Sequence, residues 1–390
     1  MGYINEAKKM LKQNLREYGM YIALFVVMLM FTFTTDGLFI SPRNISNLIN
    51  QTGYIAVLAL GMTLVIIVRD IDLSVGFLSG FLGALAAILL TSNISVFLVI
   101  PLILLIGVGI GLIYGYMAGK MMIPAFVVTL AGQMFFRGAL LKVTQGTGTI
   151  IINDEFYNAI GNGFIPDIPN NLGFHLVTVI LGMIGIFLYI WSQFKTRRNR
   201  IKYTFEVASM PIFIIKLVFI SVIIGYITWV LAGANGLSWT IVVVIIAFAI
   251  YNFVMAKTPL GRHIYAIGGN PDASVLSGIS WNKIKLWVFG SMGLMAALSG
   301  ILFSSRLQSA TTTAGSGFEL DAIAGCFVGG ISPYGGVGKI TGSMVGAIFM
   351  MSLTSGMNLM GIDISFQYMV RGLILLAAVV FDVTTRNRAK

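Results

Sequence analysis

The chain has 390 residues, 57% of them hydrophobic and only 10% charged, with a net charge of +11. A water-soluble domain carries about a quarter charged residues, so this composition excludes a soluble globular protein and makes lipid the solvent. A single cysteine, Cys326, excludes an intrachain disulfide, and the two histidines, His175 and His263, have no metal-ligand partner at a sensible spacing.

Solid apolar stretches such as Phe174–Phe194 and Ile284–Phe303 read as helices. Each helix satisfies its own backbone hydrogen bonds in hydrocarbon, whereas barrel strands alternate over about ten residues. The expected fold class is all-α, a polytopic transmembrane helical bundle of 10–12 spans with both termini cytoplasmic. A basic N-terminus, 1–19, precedes spans near 20–35, 53–68, 76–91, 95–118 and 123–143. An external loop, 144–173, holds Asp154, Glu155 and Asp167 but no Lys or Arg. Spans near 174–194 and 210–232 flank a basic loop, 195–209. A span near 239–256, a cytoplasmic segment at 257–283, spans near 284–305, 318–330, 341–360 and 366–382, and a tail at 383–390 complete the chain. The stretches at 53–68, 76–91 and 318–330 fall short of a full crossing, which takes about 20 residues. They are read as broken or half-crossing helices, tolerated where protein buries them or a cavity runs beside them. No cleavable signal peptide is expected, because Met1–Tyr18 is polar and basic and no small-residue cleavage site follows the first apolar run.

Alternation from an inner N-terminus places 20 of the 25 basic residues inside and leaves Arg43, Arg137, Lys142, Arg306 and Arg371 outside. This is the positive-inside pattern, and it accounts for the net charge without nucleic acid. The whole of 1–390 is expected to be one integral membrane domain, with no soluble part to convert energy or capture a ligand.

Gly107, Gly111, Gly115 and Gly119 recur every four residues, as do Gly338, Gly342 and Gly346. The pattern predicts close helix packing ahead of the lining of a permeation path. The run Gly335-Gly336-Val337-Gly338-Lys339-Ile340-Thr341 is no phosphate loop, since Ile340 follows the lysine where Ser or Thr must hold Mg²⁺. ATP hydrolysis on this chain is therefore not expected. In the cytoplasmic segment, Pro259 and Gly261 predict a helix start, and Gly268-Gly269-Asn270-Pro271 a turn. Asp272 is expected to cap a short helix, Ala273–Ser277. That helix reads either as a docking element for a cytoplasmic partner or as a plain interfacial helix.

The loop Thr258–Ile279 resembles the cytoplasmic coupling region of the ribose/xylose/galactose-type permeases of ABC importers. The stretch Gly61–Gly76, with Ile71-Asp72-Leu73-Ser74-Val75-Gly76, is similar to a second block of that family. A third lies at Glu319-Leu320-Asp321-Ala322-Ile323-Ala324 with the later Gly329-Gly330 and Gly335–Gly338. Residues 174–232 look like an added helix pair, as in the longer branch with xylose and multiple-monosaccharide permeases. Where the family often has Gly-Gly or Gly-His, this chain has Arg69-Asp70, read as bonding to each other at the membrane edge.

The resemblance implies a homodimer of permeases, two ATPase subunits carrying ATP and Mg²⁺, and an external sugar-binding protein, in a bacterial cytoplasmic membrane. It implies ATPase coupling through Gly261, Arg262, Gly268, Gly269, Asn270, Asp272 and Gly278. No cofactor is expected on this chain itself. Asp72, with Ser74, reads as a helix cap or as a path or gating group. Glu319 and Asp321 open a short helix, where carboxylates suit the positive dipole end. Arg306 reads as an anchor of its helix end or as a docking point for the binding protein. The implied function is inward monosaccharide transport by alternating access, with an ion-coupled secondary transporter, or a related ABC permease for another small solute, as the alternatives.

Overall fold

The computed structural model describes residues 15–146, 148–169, 173–205, 207 and 209–387. Lys8, Lys9, Lys12, Arg388 and Lys390 of the orientation count lie outside the described residues. The helices are α1 (Leu15–Thr34), α2 (Pro42–Ile67), α3 (Val75–Thr91), α4 (Val96–Gly119), α5 (Ala125–Val143), α6 (Glu155–Asn162), α7 (Leu176–Lys202) and α8 (Met210–Ala232). They continue with α9 (Trp239–Lys257), α10 (Pro259–Gly269), α11 (Pro271–Leu276), α12 (Trp281–Leu307), α13 (Phe318–Val328), α14 (Ile340–Leu359) and α15 (Ile364–Asn387). Among the described residues nine helices are long and apolar enough to cross a membrane, so the all-α polytopic class holds.

Two of the three stretches expected to be short are so. At about 1.5 Å per residue, α3 with 17 residues and α13 with 11 stop short of a hydrocarbon core roughly 30 Å thick. The third is not short: α2 runs for 26 residues. Asn44, Asn47, Asn50 and Gln51 lower the hydropathy of its first half, while Ile45, Leu48 and Ile55 bury its apolar face. Ser41 accepts from the Asn44 amide and Pro42 stands at the first helical position, which sets the start. Thr52 and Thr63 donate back to the carbonyls of Leu48 and Ala59, so their hydroxyls are satisfied within the helix.

α12 is the central post, packed against α2, α3 and α4. The four-residue glycine repeat of α4 faces it. A Cβ at Gly107 would lie 2.5 Å from the Gly293 carbonyl, one at Gly115 2.8 Å from that of Lys285, and one at Gly111 would overlap that of Phe289. Gly342 and Gly346 of α14 meet Gly329, just past the end of α13, and Gly325 within it in the same way. The packing reading of both repeats is therefore correct at these positions, because only glycine admits backbone this close.

The connection between α5 and α7 is more than a loop. Its strand β1 (Thr149–Ile151) pairs antiparallel with β2 (Ser309–Thr311), which follows α12, with Ile150 opposite Ala310. α6 is capped by Asp154, which accepts from the Tyr157 amide at 2.7 Å. It docks on the end of α12 through the Tyr157 hydroxyl with Ser304 Oγ, and through the Gly161 amide donating to Ser305 Oγ, both 2.7 Å. This ribbon marks one face of the bundle. Arg69, Lys285, Gly268 and Gly336 mark the opposite, basic face.

α7 and α8 form a hairpin at the edge. They pack chiefly on each other, with Thr228 in the notch left by Gly182 and Phe194 edge-on to Phe213 at 5.3 Å. Most of their remaining side chains are exposed.

Candidate functional site

The sequence-predicted residues fall into two groups, one at the basic face and one inside the bundle. At the basic face, Thr258 caps α10 by accepting from the Gly261 amide at 3.3 Å. A Cβ at Gly261 would stand 2.5 Å from the Val254 carbonyl, so glycine permits the sharp turn out of α9. The expected turn at Gly268–Pro271 is tighter than its composition suggests. α10 continues through Gly269, and Asn270 alone separates it from α11. Asn270 also takes the capping role expected of Asp272: its Oδ1 accepts from the Ala273 amide at 3.1 Å, and Asp272 lies exposed in the first turn. The physical reason is Pro271, which stands at the first helical position and makes the preceding residue the cap. Gly278, at φ 87°, closes α11 in the left-handed region. Arg262 and His263 are exposed, and Leu276 is 89% exposed at the tip.

The Arg69-Asp70 pair does not bond to itself. Arg69 adopts φ 67°, which ends α2 and turns the two side chains apart. Its Nε donates to the Gly268 carbonyl at 2.7 Å and its Nη2 to the Gly269 carbonyl at 2.6 Å, capping the last turn of α10. Asp70 instead pairs with Lys285 of α12, whose side chain is 2% exposed and lies 4.3 Å from the Trp281 ring centre. Burial raises the Asp70 carboxyl above its ordinary value, and the Lys285 charge and hydrogen bond pull it back.

The glycine-rich run rejected as a phosphate loop completes this junction. The Gly336 amide donates to the Ile67 carbonyl at 2.9 Å, and Tyr265 donates to the Gly338 carbonyl at 2.8 Å. Burial pushes the Tyr265 phenol up from its ordinary value. Gly335 and Gly336 have φ 76° and 69°, and a Cβ at Gly268 would overlap the Ile67 carbonyl. The end of α2, the end of α10 and the 335–338 loop therefore meet backbone to backbone.

Inside the bundle, α3 and α13 begin close together and run in opposite directions. Gly76 abuts Gly315 and Glu319, and Gly80 abuts Ala314. Asp72 Oδ1 accepts from the Ser74 amide at 2.9 Å and from its hydroxyl at 2.7 Å, just before α3. Glu319 and Asp321 stand in the first turn of α13, as expected. Glu319 accepts from Gln133 at 3.1 Å, and Asp321 pairs with Arg371, also at 3.1 Å. Arg371 donates in addition to Thr354. Carboxylates at converging helix starts offset the partial positive charge of both dipoles. Glu319 Oε2 and Asp321 Oδ1 have no hydrogen-bond partner among the described residues. Arg306 is half-buried in the last turn of α12.

Arg69, Lys285, Gln133, Arg371 and Tyr265 were missed by sequence reasoning as site residues. A basic or amide side chain inside an apolar span was the available signal for Lys285, Gln133 and Arg371. Among the described residues no group of three or more His, Cys, Asp or Glu is placed to hold a metal ion.

Comparisons with known proteins agree with the resemblance. The family described as branched-chain amino acid transport system / permease component matches residues 44–379. The xylose transport system permease protein XylH of Haemophilus influenzae is 38% identical over 97% of this chain and 99% of its own length. XylH of Escherichia coli is 37% identical over 96% of this chain and 94% of its own. The ribose import permease protein RbsC of Haemophilus influenzae is 33% identical, covering 94% and 93%. No solved structure matches. The chain belongs to this family of transport-system permease components, as a multi-pass membrane permease of the ribose/xylose ABC type.

Proposed function

We propose that this chain is the membrane subunit of an ATP-driven importer that carries a monosaccharide, xylose or a close relative, inward by alternating access. The basic face is cytoplasmic in this reading, in a bacterial inner membrane with both termini inside. Two separate ATPase subunits, with their ATP and Mg²⁺, engage α10 and α11. A second copy of the chain completes the path, and an external binding protein delivers the sugar to the ribbon face.

The observation that carries the reading is the junction of Arg69, Gly268 and Gly336. Coupling needs a stiff connection between a partner-facing element and the spans. α11 offers Val275 and Leu276 to a partner, exposed in an otherwise polar surround. Behind them α10 is tied through Arg69 to the end of α2, and the same short link leads through Asp72 to α3. Displacing α10 by even an ångström displaces that link, because no side chain intervenes at Gly268 to absorb it. The sugar assignment draws on the xylose and ribose permeases among the relatives.

A second reading, ion-coupled transport, is favoured by one feature. Two interrupted helices meet inside the bundle with carboxylate oxygens that lack a hydrogen-bond partner among the described residues, the construction of ion sites in secondary transporters. One experiment separates the readings. The chain is co-reconstituted with its co-purifying ATPase and binding protein, and xylose uptake is followed with ATP present and ion gradients collapsed by ionophores. Undiminished uptake supports the importer. Loss of uptake under the ionophores, or gradient-driven uptake by the chain alone, replaces it with ion coupling.

A further inference from the structure

We propose that the basic stretch Lys195–Lys202 at the end of α7 is a binding site for anionic phospholipid headgroups. Five of its eight residues, Lys195, Arg197, Arg198, Arg200 and Lys202, are cationic. Glu206, which lies outside the described residues, is the only acidic residue between Asp167 and Asp272.

The position along the helix is the first argument. The uncharged part of α7, Leu176–Phe194, is 19 residues long. At about 1.5 Å per residue it matches the roughly 30 Å of a hydrocarbon core. The helix does not stop there but continues without a break to Lys202. Lys195 thus stands where hydrocarbon ends, and the remaining turns run through the headgroup layer.

The angular distribution is the second argument. At about 100° per residue, Lys195, Arg198 and Lys202 share one side of the helix and Arg200 lies on the other, beside Arg197, which stacks 4.9 Å over the Phe213 ring of α8. A protein partner meets one face of a helix, whereas a headgroup layer surrounds it. Lys195, Arg198, Arg200 and Lys202 are all exposed. Aromatic rings accompany them: Lys195 lies 5.5 Å from the Trp191 ring centre and Lys202 5.8 Å from that of Tyr203, and Trp191, Tyr203 and Phe205 are exposed. Aromatic rings beside cations are the composition of a membrane–water interface. The hairpin's outward apolar surface already requires lipid around it, and a cationic rim favours the anionic members of that lipid.

The site does not depend on which solute the chain moves, so its test is independent of transport. The full-length chain is reconstituted in phosphatidylcholine vesicles carrying trace spin-labelled phosphatidylglycerol or spin-labelled phosphatidylcholine. Electron paramagnetic resonance then gives their relative association with the protein. Phosphatidylglycerol should be preferred several-fold at 50 mM salt, and the preference should fall toward one at 0.5 M salt as the charges are screened. K195Q/R198Q/R200Q/K202Q should abolish it, and R198K/R200K should keep it. No preference in the wild-type chain, or one unmoved by both salt and the quadruple variant, overturns the proposal. So does an unchanged lipid preference together with loss of a co-purifying protein, which assigns the stretch to protein docking. If the quadruple variant does not fold, the salt titration of the wild-type chain decides alone.

Discussion

α4 and α7 are both long apolar helices, with five glycines and two, yet they sit in the molecule in opposite ways. α4 presses Gly107, Gly111 and Gly115 onto the backbone of α12 with no room for a methyl group. α7 notches one glycine, Gly182, around Thr228, and Gly185 on the same helix meets nothing within 4 Å. Without a hydrophobic driving force in lipid, association of helices depends on such close approach. α4 therefore belongs to a rigid post, and α7 to an appendage held by its partner α8 and by the surrounding lipid.

Substitution within single helices breaks or sharpens that comparison. Gly111→Val should cause the largest loss: its side chain overlaps the Phe289 carbonyl, and a permease that elutes as a single species in detergent should no longer be recovered. A normal yield and thermal midpoint would show that α4 and α12 are less tightly joined than described. Next, Lys285→Met leaves Asp70 without its buried partner and should cost about 3–5 kcal/mol. Adding Asp70→Asn should restore much of that, read as the detergent-phase unfolding midpoint of the two variants.

Arg69→Gln removes two charge-assisted bonds to α10, worth about 1.5–3 kcal/mol each at most. It should reduce ATP-driven uptake by tenfold or more while the assembled complex keeps its ATPase activity. Arg69→Lys should recover little, because a lysine cannot span both carbonyls. Equal losses of uptake and assembly would make Arg69 a purely structural residue. At the far end of the scale, Gly185→Ala on α7 should be neutral or raise stability by up to about 1 kcal/mol, and Gly109→Ala on α4, which also faces open space, should behave like it. A large loss at either would erase the contrast.

Most of the spans were legible because hydropathy alone marks them. The 257–283 segment was legible in part, because Pro259 and Gly261 mark the start of α10 and Asn270-Pro271 the break before α11, but the cap falls on Asn270 and not on Asp272. What escaped detection was long-range or masked by polarity. The first half of α2 reads as a loop because Asn44, Asn47, Asn50 and Gln51 interrupt it, though its other face is apolar. α6 hid inside the 144–173 loop, too polar to read as a helix, although Asp154 is an ordinary cap. The partners of Arg69 lie about 200 positions away, and no local pattern links them. Glu319 and Asp321 were recognised as helix-start carboxylates, whereas Asp72, read as a cap or a path group, bonds to Ser74 ahead of α3 and does not cap it. The convergence of the three was not recognised, since it depends on how α3 and α13 cross.

The brevity of α13 has a consequence for how the chain is made. A helix of 11 residues is too short to leave a translocation pore sideways into lipid as an independent span. Its principal neighbours are α2, made long before it, and α14, made just after it, with Gly325 and Gly329 seated against Gly346 and Gly342. Insertion of α13 is therefore expected to await α14. A chain truncated before Ile340 should leave Glu319 open to water-soluble reagents, whereas one extended beyond Leu359 should bury it.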